Sequence, residues 1–531
     1  MTLPSRKNRE KKKFFKPNYT GGNDYDLVIV GGGLSGLTTG LLWLKQRPGT
    51  KVLLAEKLYY TGGYVTTFER KGYVFETPQL IGDITAVLDY LGIDLPLRRF
   101  EGTFMRRVVV RGSEVDEYRL PLGTDEFTEY LSARFPDQER QIRRLMRYVL
   151  SMFVQLRKLK ASPGFADKLK TVFVAPKVVA SLGRTYTELL DRFGITDPRL
   201  REVLETFSVF SGVPPNQASC IQTVGAAITS MTNCHRPEGL FDELPIKMTE
   251  LFQEWGGELL VKAAAEKIEV EDGRVVGVRI KGLDEAVRAR RVVTTIDPKV
   301  AMKELVGDEH LPADYLRQLE DTVMSVSSLN VALGLDDGID LRRFDIDNPY
   351  NLVSTGLGTA EKLFEAVLAG DNGFAEDCFH VGVMCPSLTI GGPGTVTIRG
   401  VPFAMGRWGE WRREDRKRYV AEKERWAGLL IDIVERYLIP GLRDHVAVTN
   451  VSTPATYARY SGSPTGSIYD MASLVTQFGP KRLPLRTPIE NLFQPKFSHG
   501  IYGAVMNGVQ VVDVMLDREL NNGDSLFRPR S

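Results

Sequence analysis

The chain has 531 residues, more than the ~100–200 of one ordinary domain, so it holds several units or one unit assembled from separated segments. Hydrophobic residues at 43% and charged residues at 26% lie near globular averages, which excludes a wholly disordered or fibrous chain. A net charge of +2, from 69 Lys and Arg against 67 Asp and Glu, argues against a dedicated nucleic-acid binder.

Cys220, Cys234, Cys378 and Cys385 have no CxxC spacing and are too few to staple a chain of this size, so a reducing, cytoplasmic compartment is expected. No apolar run reaches the ~18 residues of a membrane span. Residues 1–23 carry seven Lys and Arg against one Glu, and no apolar segment follows to make them a secretory signal. A solvated tail is the expected reading, and contact with anionic lipid is its alternative.

In chain order, residues 26–30 form an apolar run of strand length that ends in Gly31-Gly32-Gly33. Leu34, Leu37, Leu41, Leu42 and Leu44 then recur at roughly helical spacing until Pro48-Gly49, and residues 51–56 read as a second buried strand. This is a βαβ unit of a parallel sheet. Gly31-x-Gly33-x-x-Gly36 at its turn has the spacing of a dinucleotide fingerprint. The first glycine makes the turn, the second lets backbone approach a pyrophosphate, and the third lets helix pack on strand. Free N–H groups at Leu34 and Ser35 would meet the phosphates together with the helix dipole. Glu56 follows Gly36 by 20 residues, where a carboxylate accepts from ribose hydroxyls and repels a 2′-phosphate. Lys57 adjoins it, and a second glycine pair, Gly62-Gly63, comes soon after.

From 121 to 232 the pattern is helical, with segments predicted over 141–160 and 177–193. Basic residues from Arg143 to Lys170 interleave there with Met146, Val149, Leu150, Phe153, Val154 and Leu156. That stretch suits either a solvated amphipathic helix or a surface that dips into an anionic bilayer. Strand signals return at 259–280, turning at Asp272-Gly273, and at 292–296. A mixed block with a charged helix over 414–437 follows, and 491–520 reads as strand, turn and helix. Nucleotide-type pieces thus stand at the start, middle and end. The expected domains are 24–100 with 239–302 and 456–520 for the nucleotide, 101–238 with 303–455 for the substrate, and tails at 1–23 and 521–531.

Residues 26–82 resemble the amino terminus of the phytoene desaturase superfamily, which includes carotenoid cis–trans isomerases and retinol saturases. The likeness continues at Pro237-Glu-Gly239, Trp255-Gly256-Gly257, Gly273-Arg-Val-Val-Gly277, Thr453-Pro454, Thr487-Pro488 and Gly500-Ile-Tyr-Gly503, and so spans roughly residues 24–518. It implies an α/β fold: a Rossmann-like, three-segment FAD-binding domain of GR2 type carrying an inserted α+β substrate domain. It also implies FAD as cofactor, with Ala265 beside the adenine and Gly503 near the flavin end. The implied activity is desaturation, saturation or isomerisation of an apolar isoprenoid or polyene lipid, with the protein peripheral on a membrane. A lipid escort on the same fold and a flavin amine oxidase are the alternatives.

Three positions depart from the family pattern. Tyr64 follows the glycine pair where Arg or a small residue is usual, Leu240 replaces a glycine, and residues 494–499 replace an apolar-glycine stretch. His499 and Lys496 stand where a charge could meet the flavin, though a capping or packing role is the favoured reading of His499 and a solvent-facing role fits Lys496 at least as well. His235 beside Cys234 has no second pair at ligand spacing, so no metal is expected. No catalytic acid or base is assigned, and no motif fixes an oligomeric state.

Overall fold

The computed structural model describes residues 17–77, 81–159, 171–232, 234–356, 358–369, 378–401, 406–495 and 500–516. The two apolar runs of the βαβ unit become the strands Leu27–Val30 and Val52–Glu56, buried at every position. Both lie at the centre of a five-stranded parallel sheet ordered Glu258–Val261, Val52–Glu56, Leu27–Val30, Val292–Thr294 and Leu492–Phe493. Strands covered on both faces need apolar side chains in both directions, which explains the unbroken runs. Leu27 and Ile29 face a helical layer, while Val28 and Val30 face a second sheet.

The helical layer packs Leu34–Gln46 against the last helix, Gly500–Leu516. A Cβ on Gly508 would stand 2.5 Å from that of Thr38, so the two backbones meet closely only because this residue has none. On the other face lies a four-stranded sheet, whose hairpin Ala265–Glu271/Arg274–Ile280 turns at Asp272 and Gly273. Both turn residues have positive φ, as a two-residue hairpin of type I′ requires.

The inserts build a seven-stranded sheet. Its order is Val446–Ser452, Leu329–Leu335, Thr395–Gly400, His380–Met384, Tyr350–Thr355, Thr103–Arg111 and Glu114–Pro121. The pairing is antiparallel except between Tyr350–Thr355 and Thr103–Arg111. Val396 and Ile398 look toward the helices Arg407–Glu414 and Arg416–Tyr437. Met105 and Val109 look toward the helices of residues 124–232. The buried ion pair of Arg236 with Glu76, 2.9 Å long, ties the middle of the chain to its amino-terminal part.

Two expectations need correction. The single helix predicted over 177–193 is two, Pro176–Val179 and Tyr186–Arg192. Gly183 takes φ +73 between them, and Thr185 caps the second through a box with Glu188. The basic helix runs Glu139–Leu156, and Ile142, Leu145, Met146, Val149 and Met152 are core, while Leu150, Phe153 and Leu156 are partly buried and Val154 is exposed. Arg143 is engaged by Glu129 and Glu139, so that part reads as an ordinary amphipathic helix rather than a membrane surface. The basic residues Lys160, Lys168 and Lys170, most of the amino-terminal tail and the 521–531 tail lie outside the described residues.

Candidate functional site

The strand–turn–helix fingerprint forms a groove. Gly31 leaves the strand at φ +105, where a Cβ would meet Thr295 Oγ1 at 2.6 Å. Gly33 caps the helix Leu34–Gln46 without a side-chain bond, and nothing lies within 4 Å of where its Cβ would be. That open space above a helix amino terminus is where a diphosphate could come against bare backbone. Gly36 has the third role: a Cβ there would run into the Gly31 carbonyl oxygen. The second glycine pair is laced to the first, since Gly62 N–H donates to Gly32 O at 2.8 Å and Gly33 bridges to Gly62.

Glu56 ends the neighbouring strand and is 7% exposed. Oε2 accepts from Gly32 N–H and Oε1 from Leu58 N–H, both at 2.7 Å. Burial pushes this carboxyl above the usual range, and the two N–H donors oppose the shift. Each oxygen keeps a lone pair for a further donor, such as a ribose hydroxyl. Burial lowers the neighbouring Lys57 ammonium, with Glu56 opposing, and its Nζ donates to Arg459 O at 3.2 Å. Ser35 Oγ donates to Ala504 O at 2.9 Å, which fixes the last helix with its amino terminus toward the same groove.

These residues line one cavity of about 2250 Å³. Gly31, Gly33, Leu34, Ser35, Glu56, Lys57, Gly62, Gly63, Ala265 and Gly503 all border it. Gly36 is set back from the cavity in the packing role just described. One small-molecule site typically occupies about 300–1,000 Å³. The volume therefore has room for a dinucleotide and a second ligand.

Beyond the groove the lining changes character twice. First comes a polar section of Arg399, Tyr350, Tyr457 and Tyr469, with Tyr64 at its edge. Tyr64 donates to Ser467 O at 2.6 Å and lies 6.1 Å, ring to ring, from Tyr457. Then the walls turn apolar, with Phe153, Leu156, Val178, Ile221 and Phe478. Exposed Val154, Val172, Phe173, Val174 and Leu182 stand at or near this end, Phe173 at 86% exposure.

The arrangement supplies a dinucleotide cradle joined to a largely apolar chamber. The cradle fits such a cofactor on three counts: open space over Gly33, a helix start without a side-chain cap, and a carboxylate at ribose distance along the fingerprint. Arg399 and the three tyrosines were missed in the sequence. Arg399 alternates with Val396 and Ile398 in a strand, a pattern that reads as a solvent-facing residue until the other face is found covered. Lys496 and His499 lie outside the described residues. Leu240 packs with Val74 and Ile390 in a small apolar cluster. Among the described residues no group of His, Cys, Asp and Glu could hold a metal ion.

Comparison with known proteins adds four findings. The NAD(P)-binding Rossmann-like domain family matches residues 29–81. All-trans-retinol 13,14-reductase of Danio rerio is 23% identical, over 94% of this chain and 87% of that protein. Chloroplastic prolycopene isomerase of Daucus carota is 21% identical, over 84% of this chain and 71% of that protein. A solved putrescine oxidase bound to putrescine shares the fold at a TM-score of 0.61 and 17% identity, covering 93% of this chain and 99% of its own.

Proposed function

We propose that the chain, similar along most of its length to a retinol reductase, a prolycopene isomerase and a phytoene desaturase, is a member of that superfamily and an FAD-dependent oxidoreductase acting on an apolar polyene of carotenoid or retinoid kind. The observation that carries this reading is the single cavity that joins the Gly31–Gly33–Glu56 cradle to an apolar chamber. Bound in the cradle, FAD supplies a centre that takes a hydride from a carbon beside a conjugated chain or gives one to it. The protein's own part is to bind, orient and dry. Backbone at Gly31 and Gly33 and the N–H groups of Leu34 and Ser35 receive the diphosphate. Glu56 accepts from the adenosine ribose, with Ala265 beside the adenine. The start of the helix Gly500–Leu516, with Gly503 in its first turn, faces the other end of the cofactor. Phe153, Ile221 and Phe478 hold the polyene away from water, where orientation does more than a nucleophile could.

The substrate enters through the apolar end of the cavity. Val172, Phe173 and Val174 stand exposed there beside Arg157 and Lys158, a pairing of apolar and basic groups suited to the surface of an anionic membrane. No helix among the described residues is long and apolar enough to cross a membrane, so the contact is peripheral in this reading.

The test is reconstitution. Protein stripped of ligands and offered FAD and NAD⁺ in competition retains FAD at one per chain, with a flavin absorption spectrum. Retention of NAD⁺ alone, or of neither, would overturn the reading.

A further inference from the structure

Arg399 lies on the strand Thr395–Gly400, between Asn330 and Gly382 of the neighbouring strands. Val396 and Ile398 turn to the helical side of the sheet, and Arg399 turns to the cavity. One Nη donates to the Thr77 carbonyl oxygen. Nε is buried without a hydrogen-bond partner, and no carboxylate forms an ion pair with this guanidinium among the described residues. Tyr350, Tyr457 and Tyr469 lie close enough for its charge to offset part of the rise that burial imposes on their hydroxyls. A cationic fork and three neutral hydroxyls therefore meet in one section of a chamber that is otherwise apolar.

A plain hydrocarbon would be badly served there. It would displace water from the guanidinium and offer no acceptor in return, and an unmet buried donor costs about 1–3 kcal/mol. A carboxylate accepts from the outer N–H groups of the guanidinium and neutralises its charge. On the proposed oxidoreductase reading, we propose that Arg399 is a specificity-determining residue that binds a carboxylate end group, so that the substrate is a polyene acid rather than a hydrocarbon. The rest of the polyene then runs from Arg399 past Phe210 and Ile221 toward the apolar mouth.

The test compares all-trans-retinoic acid with the hydrocarbon analogue that lacks its carboxyl group. Binding is read by quenching of tryptophan fluorescence, in the FAD-loaded protein and separately in the flavin-free protein. A hydrogen-bonded charge pair contributes about 1.5–3 kcal/mol, so the acid is expected to bind about 10- to 150-fold more tightly than the hydrocarbon. Arg399→Gln should erase that preference while leaving FAD retention unchanged, and Arg399→Lys should restore part of it. Equal affinities in the unaltered protein would overturn the inference without any variant. So would an Arg399→Gln protein that keeps the preference, or one that keeps it and loses FAD, which would assign the guanidinium to the cofactor. An acid preference in a chain that takes up no FAD would support the carboxylate site and sink the oxidoreductase reading alone.

Discussion

Replacing Glu56 by Gln probes the cradle with the least change of shape. The carboxylate accepts two backbone N–H groups at 2.7 Å, from Gly32 and Leu58, in a place that is 7% exposed. A glutamine keeps one acceptor there and turns its NH₂ toward the other backbone N–H, leaving a buried donor unmet at about 1–3 kcal/mol. It also removes the charge that receives ribose hydroxyls, and hydrogen bonds to charged groups contribute about 1.5–3 kcal/mol. The apoprotein should therefore melt at a lower temperature, and its dissociation constant for FAD should rise about 10- to 150-fold. Titration of apoprotein with FAD, followed by flavin fluorescence, measures the constant. The same titration has a pH signature. Burial holds the Glu56 pKa above the usual carboxylate range in the apoprotein, and ribose hydroxyls donate to the anion. Binding therefore releases a proton wherever Glu56 is protonated, and affinity falls as pH drops through that raised pKa. The glutamine variant should lack this component of the slope. Unchanged affinity, or an identical slope in both proteins, would refute the assignment of the ribose to Glu56.

Three further perturbations report on other parts of the account. Gly36→Ala puts a methyl group against the Gly31 carbonyl and should destabilise the fold by about 1–3 kcal/mol, as overpacking does, together with loss of FAD binding; a melting temperature equal to that of the parent would contradict the packing role. Glu76→Gln strands the buried Arg236 charge and should cost about 3–5 kcal/mol in urea unfolding; a loss within error of zero would show the pair to be dispensable. Phe173→Asp should weaken sedimentation with anionic liposomes, and binding by the unaltered protein should fall as salt is added; no difference between the two proteins would remove Phe173 from the membrane contact.

How much of this was legible depends on whether the determinant is local. The turn at Gly31–Gly36 could be read because its steric demands lie within six residues and recur wherever backbone meets phosphate. Glu56 could be read because the length of the intervening helix sets its distance in sequence. The hairpin at Asp272-Gly273 was legible for the same reason, as its two positive φ values belong to the turn itself. Tertiary partners were not visible. Met146 and Val149 share a stretch with arginines and suit a membrane face as well as a core, and only packing against the helices of residues 124–232 decides between them. The break in 177–193 needed weight on Gly183 and on the Thr185–Glu188 capping box, both present in the sequence and outweighed by apolar periodicity. Arg399 was beyond reach. Its strand alternates as a half-exposed edge would, and the tyrosines it meets come from positions 350, 457 and 469.

The most direct test mixes FAD-loaded protein with a polyene substrate in the absence of oxygen and follows flavin absorbance and product mass together. Flavin-dependent conversion is expected: loss of two hydrogens with bleaching when the flavin starts oxidised, gain of two hydrogens with recovery of flavin absorbance when it is chemically reduced beforehand, or a geometric isomer of unchanged mass that forms only when the cofactor is present. A fully loaded protein that leaves every carotenoid and retinoid offered to it unaltered, in neutral or acid form, would contradict it.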